Sequence, residues 1–174
     1  MIELFLQERP NFSFFIPASG SGSRMFNFLF DLNSTHSDSH EIQTFIENLD
    51  KFAFYSLIPS EMRARLKEND QKLIADYLLS SDGMNFAVLP KGLIPFHVVD
   101  QEIYNPFQEQ AIQANDLVLE TGELHFTVQE GFEEHVQRSI NELNVLKKNR
   151  LRVSYSNQKS STDAYCFDVQ KNDF

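Results

Sequence analysis

Apolar positions change their spacing several times along the chain, and each change marks an element. Asn11 to Pro17 (NFSFFIP) is a short run rich in Phe and Ile, with the length and bounding of a buried strand, expected at the centre of a sheet. It runs straight into Ala18-Ser19-Gly20-Ser21-Gly22-Ser23, a turn of small residues. Arg24 to Phe30 follows with helix-compatible apolar content and no breaker. The chain therefore opens as strand, small-residue loop, helix. After a polar connector, Asn33 to His40, a stripe of Ile42, Phe45, Ile46, Leu49 and Phe52 predicts a helix over 41–55. Ser60 supplies an N-cap for one or two further helices over 61–79, with a break expected near Asn69-Asp70. Residues 33–82 read as a helical insertion.

The second half alternates more regularly. Asn85 to Leu89 is a short apolar segment closed by Pro90-Lys91-Gly92 and then Leu93-Ile94-Pro95-Phe96-His97. Asn105-Pro106 is a helix start, and the helix would turn Phe107, Ala111, Ile112 and Ala114 inward. Glu123 to Val128 alternates, with Leu124, Phe126 and Val128 on one face, which is strand period. Glu130 to Lys148 predicts the longest helix, aligning Phe132, Val136, Ile140, Leu143 and Leu146. Leu151 to Ser156 is a third strand, and Asn157 to Asp163 a polar loop. Strands alternating with helices predict an α/β sandwich with a largely parallel sheet.

Composition narrows the function classes. A length of 174 residues suits one domain. Seventeen phenylalanines and no tryptophan put most aromatic area into side chains without a polar handle, hence into buried contacts. Fifteen basic against twenty-five acidic residues leave a net charge of −10, which disfavours nucleic-acid or anionic-membrane binding. A small phosphorylated ligand held by one or two local cations remains compatible with it. Cys166 is the single cysteine, so no internal disulfide framework exists, and no basic neighbour in sequence lowers its pKa. The start, Met1-Ile2-Glu3-Leu4, lacks a signal-peptide pattern, and no run approaches the roughly 18 apolar residues of a membrane span. A soluble cytoplasmic protein is expected.

Two segments could carry chemistry. Gly20-Ser21-Gly22-Ser23-Arg24-Met25 sits at a strand-to-helix turn, where glycines permit positive φ and let backbone N–H groups approach an anion. It is not a dinucleotide fingerprint, whose third glycine position is Met25 here, and no Gly-Lys-Ser/Thr of a P-loop follows. An ordinary turn of small residues explains the same letters. Lys91, set between Pro90 and Gly92 on a stiff backbone, suits a point-charge partner for phosphate; a solvated loop lysine is the plain alternative. His97, His125 and His135 have no metal-ligand spacing, and His36 and His40 fall in the connector. Asp163 and Asp168 could hold Mg²⁺ or simply be solvated.

Taken together, the two segments resemble the sugar nucleotidyltransferase superfamily, which opens with a strand, Gly-x-Gly-Thr/Ser-Arg-Met/Leu and then Pro-Lys-x-Leu-x-Pro. The chain has Gly20-Ser21-Gly22-Ser23-Arg24-Met25 and Pro90-Lys91-Gly92-Leu93-Ile94-Pro95, with the helical stretch between them. More closely it resembles the bacterial family called domain of unknown function 4301. That likeness rests on Ile16-Pro17-Ala18-Ser19-Gly20, Ser23-Arg24-Met25-Phe26, Leu89 to His97, Leu124 to Val128 and Gln158 to Asp163. The resemblance implies a three-layer α/β sandwich with a mostly parallel, nucleotidyltransferase-like sheet, incomplete here because members look longer. It implies a nucleoside triphosphate or nucleotide-sugar as ligand and Mg²⁺ as cofactor, with the main metal carboxylate beyond Phe174. Ser19, Gly20, Ser21, Gly22 and Ser23 would cradle phosphates, and Arg24 and Lys91 would serve catalysis by offsetting charge. Gln158 would read the base, although Ser161 replaces the glycine expected after it and a polar loop explains it equally. The chain alone is expected to turn over little or nothing. The competing reading is a truncated, non-catalytic module that binds nucleotide weakly or not at all and self-associates through an exposed sheet edge.

Overall fold

The structure is a computed structural model and describes residues 12–30, 39–66, 70–118, 120–144, 146 and 150–158. Three parallel strands form the main sheet in the order β1-β4-β5: β1 (Phe12–Pro17), β4 (Gly122–Val128) and β5 (Leu151–Asn157). Phe14 stands opposite Leu124, which stands opposite Val153. Two short strands, β2 (His97–Val99) and β3 (Glu102–Tyr104), make a separate antiparallel hairpin.

Between β1 and the hairpin the described residues carry α-helices and 3₁₀ turns. Ser23–Phe26 is a 3₁₀ turn that continues into α1 (Asn27–Phe30), so the expected helix over 24–30 is tighter at its start. Then come α2 (Ser39–Glu47), α3 (Ser60–Leu66) and α4 (Gln71–Leu79). Asp70 caps α4 by accepting from the Leu73 amide at 3.1 Å, at the break the sequence marks. The expected helix over 41–55 is shorter than its apolar stripe. It stops at Glu47, and Leu49–Lys51 and Ala53–Leu57 are 3₁₀ turns separated by an extended Phe52. Aromatic packing explains the departure. Phe52 contacts Phe45 and Phe54 at centroid distances of 5.2 Å, and Phe54 meets Phe86 edge-on at 5.0 Å. A continuous α-helix would carry Phe54 away from the buried side. With Phe26, Ile42, Ile58, Ile74, Leu78 and Ile94 these rings form the first hydrophobic cluster.

The second cluster joins the sheet to its helices. α5 (Pro106–Leu117) and α6 (Glu133–Asn141) pack Phe107, Ala111, Val136 and Ile140 against Leu124, Phe126 and Val128. Asn105 and Gln108 form a capping box at the start of α5, and both also bond Ser139 of α6, at 2.7 and 3.0 Å. Among the described residues the helix expected over 130–148 is seen as α6, with Leu143 buried beyond its end; residues 145 and 147–149 lie outside the described residues. The hairpin escapes a sequence reading because its turn residues, Asp100 and Gln101, take positive φ (50° and 72°) without the usual glycine.

β1 requires a correction. It was expected to be central and buried, yet among the described residues it is an edge strand, with Phe15 49% exposed. The cause is the period of two: Phe14 and Ile16 face the helices while Ser13, Phe15 and Pro17 face away. The chain is thus mixed α/β with a parallel three-stranded sheet, and the outer face of that sheet stays open at Ser13, Phe15, Glu123 and Ser154. No helix of the described residues is long and apolar enough to cross a membrane.

Tyr155 gives this packing a pH signature. Burial, reinforced by the Glu133 carboxylate, pushes its hydroxyl from 10.0 up to about 12. The folded chain keeps that proton where the unfolded chain releases it. The stabilisation is therefore complete below about pH 10 and is lost as pH rises from about 10 to 12. Urea denaturation across this range should show a decline that is shallower in Tyr155→Phe; identical slopes would mean that Tyr155 contributes nothing.

Candidate functional site

The C-terminal ends of the three parallel strands lie side by side. Ligands bind at this edge of open α/β sheets. The ladder runs one step past the strands themselves: the Ala18 amide donates to the Thr127 carbonyl at 2.9 Å, and the Gln158 amide to the Val128 carbonyl at 2.9 Å. Three segments remote in sequence are thereby held together as they leave the sheet. Between them is a cleft of about 490 Å³ lined by Ser19, Gly20, Ser21, Arg24, Gln129, Glu130 and Gln158. That volume suits a small-molecule ligand.

Five of the sequence-derived candidates, Ser19, Gly20, Ser21, Arg24 and Gln158, therefore meet in one place. Gly22, Ser23 and Lys91 do not line the cleft, and each has a different position. Gly22 is buried, and its amide donates to the Leu89 carbonyl at 3.0 Å. The Ser23 amide donates to the Ser21 hydroxyl at 3.2 Å, and the two serine hydroxyls lie 2.8 Å apart. Those two amides are already engaged within the loop and its partner segment. Nor do the glycines supply positive φ. Gly22 is right-handed at φ −73°, and among the described glycines Gly131 alone lies in the left-handed region.

What Gly22 supplies is room. A Cβ there would come within 2.7 Å of the Leu89 carbonyl oxygen and 2.8 Å of Ile94 Cδ1. The closeness comes from an isolated antiparallel bridge between Ser21 and Pro90, flanked by the Gly22–Leu89 bond and by the Lys91 amide donating to the Gly20 carbonyl at 2.8 Å. Lys91, roughly seventy residues from Arg24 in sequence, is thus fixed by its backbone to the loop; its side chain is exposed. Gly92 repeats the device on the other side, where a Cβ would lie 2.5 Å from the Phe107 ring.

Arg24 is exposed, without an ion-pair or hydrogen-bond partner among the described residues. Gln129 and Glu130 were missed by the sequence reading. Their signal was position alone: they are the first residues after β4, at the strand end where a parallel sheet binds ligands. The Oε1 atom of Gln129 is shut off from solvent and has no hydrogen-bond partner. Of the histidines, His125 lies on the open sheet face, its ring nitrogens 2.9 Å and 2.8 Å from the Ser154 and Ser156 hydroxyls. His97 opens β2, and His135 lies on α6 beside Phe132. Among the described residues no three His, Cys, Asp or Glu gather as a metal site. His36, Ser161, Asp163, Cys166 and Asp168 lie outside the described residues.

The family model for domain of unknown function 4301 matches residues 3–174. The chain belongs to that family. The domain of unknown function 4301 match spans both the Gly20–Arg24 and the Leu89–Lys91 segments, so their pairing lies within the family's own stretch. No curated protein and no solved structure matches the chain.

Gly22→Ala tests the pairing on which this site stands. Because φ is −73°, the cost is overpacking and not backbone strain. A loss of about 1–3 kcal/mol is expected in denaturant unfolding. Gly20→Ala, whose Cβ would meet nothing within 4 Å, should cost far less. Equal losses at the two positions would contradict the packing role of Gly22.

Proposed function

We propose that the strand-end cleft binds a nucleoside triphosphate or nucleotide-sugar, and that this chain is the nucleotide-binding portion of a nucleotidyltransferase-like protein. The observation that carries the reading is the meeting of Ser19, Gly20, Ser21, Arg24 and Gln158 around one cleft at the C-terminal edge of a parallel sheet. The hydroxyls of Ser19 and Ser21 and the Arg24 guanidinium face the phosphates, and Lys91 adds a second cation from the segment pinned to Gly20. The Gln158 amide, which can donate and accept at once, faces the base.

In such a reaction a phosphate oxygen of the acceptor attacks the α-phosphorus of the triphosphate in line. The bond to the bridging oxygen breaks and pyrophosphate leaves with the electron pair. The protein's part is positioning and charge neutralisation, by analogy with phosphoryl transfer. Mg²⁺ fits as an ion carried by the ligand's own phosphates and water, its usual mode, since Glu130 is the single carboxylate lining the cleft. When bound, the ion would neutralise phosphate charge. The sheet would then be the core of a three-layer, nucleotidyltransferase-like sandwich in a cytoplasmic protein with no nucleic-acid or membrane partner.

A second reading, a non-catalytic module that self-associates, draws on the exposed Phe15 of the edge strand. One experiment separates the two. Calorimetric titration of the folded chain with nucleoside triphosphates should give binding that improves with Mg²⁺ and weakens with salt, since the net charge of −10 opposes an anionic ligand. Arg24→Ala should weaken it about 10-fold to 150-fold, the worth of a hydrogen bond to a charged group; Lys91→Ala, whose charge acts from outside the cleft lining, should weaken it less. No heat with any nucleotide, together with a dimer in sedimentation, would favour the module.

A further inference from the structure

The two walls of the cleft differ in chemical kind. On the β1 side stand two hydroxyls and a guanidinium, and a guanidinium can only donate. On the β4 side stand Gln129 and Glu130. Glu130 is exposed and has no ion-pair or hydrogen-bond partner among the described residues, and an ionised carboxylate only accepts. Beside it, the Gln129 carbonyl oxygen is sealed from solvent without a partner, which leaves an acceptor unmet. The Glu130 carboxylate therefore requires donors. A second anionic group of the ligand is excluded there, because it would face the Glu130 charge.

Building on the nucleotide reading of this cleft, we infer that the ligand carries, apart from its phosphates, two adjacent hydrogen-bond donors that dock on the Glu130 carboxylate. A carboxylate takes two parallel bonds from donors on neighbouring atoms, as it does from a guanidinium. Two parts of a nucleotide offer that pair. One is the guanine edge, with its ring N1–H next to the N2 amino group. The other is a vicinal diol of ribose or of an attached sugar. Uracil and thymine offer a single N–H between two carbonyl oxygens, which the carboxylate repels, and adenine offers an amino group with no neighbouring donor. The donor pair is the shared feature, and Glu130 is a specificity-determining residue of the site.

The test is calorimetry on the full chain with GTP, ITP, 2′,3′-dideoxy-GTP and UTP, each with Mg²⁺ and in EDTA, for the native chain and for Glu130→Gln. Glu130 is exposed, so the variant should fold; its circular dichroism and melting temperature check this. Glu130→Gln is expected to weaken GTP about 10-fold or more, with and without Mg²⁺. If guanine supplies the pair, ITP, which keeps N1–H but lacks the N2 amino group, binds more weakly than GTP and loses less on the substitution. If the diol supplies it, dideoxy-GTP behaves that way and ITP does not. GTP affinity unchanged in Glu130→Gln overturns the inference while leaving the nucleotide reading intact. A loss confined to Mg²⁺ makes Glu130 a metal ligand and overturns it as well. Silence with every nucleotide sinks the nucleotide reading and this inference with it.

Discussion

Two backbone hydrogen bonds, Gly22 to Leu89 and Lys91 to Gly20, hold the rest of the arrangement in place. They join the loop that leaves β1 to the segment that leaves the helical stretch, and they do so where two glycines allow the closest approach. Gly22 sits against Leu89 and Ile94, the second of which belongs to the phenylalanine-rich cluster, while Gly92 sits under Phe107 of the sheet cluster. The short Ser21–Pro90 pairing is therefore the seam between two hydrophobic cores. A seam made of backbone bonds has a defined register and cannot slide by small steps as an apolar contact can.

That seam accounts for the composition of the loop better than ligand chemistry alone does. Gly22 is glycine because of its neighbours, and Pro90 has no amide to leave unpaired on the far side of the bridge. Gly20, by contrast, has open space around it and lines the cleft. One short stretch thus divides its work: its later residues hold the protein together, and its earlier ones form the wall of the cavity.

The elements that were legible in the sequence are those whose pattern reports local structure. The strands at 12–17, 122–128 and 151–157, the Asn105 cap and the break at Asp70 follow from period and cap chemistry; Gln158 came from resemblance alone. What could not be read was decided by distant partners. Phe52 and Phe54 leave the helix because Phe86 offers a better contact. β1 lies at the edge because only β4 pairs with it among the described strands. Asp100 and Gln101 turn a hairpin without glycine, and Gln129 and Glu130 matter through their place after β4 and not through any motif.

The register of β1 has a kinetic consequence. Phe12 pairs with Gly122, about 110 residues further along the chain, whereas Gly122 pairs with Leu151, about 30 residues further on, across a stretch that includes α6. Closing a loop costs entropy that rises with the logarithm of its length, and parallel pairing adds no local turn to offset it. The β4-α6-β5 unit can form early, while β1 must wait until the helical stretch has collapsed and brought Leu89–Lys91 to meet it. In pulsed hydrogen exchange during refolding, the amides of β1 should gain protection after those linking β4 and β5; simultaneous protection would contradict this order. On that order β1, which leads into the Ser19–Arg24 wall, completes the cleft after β4 and β5 have paired.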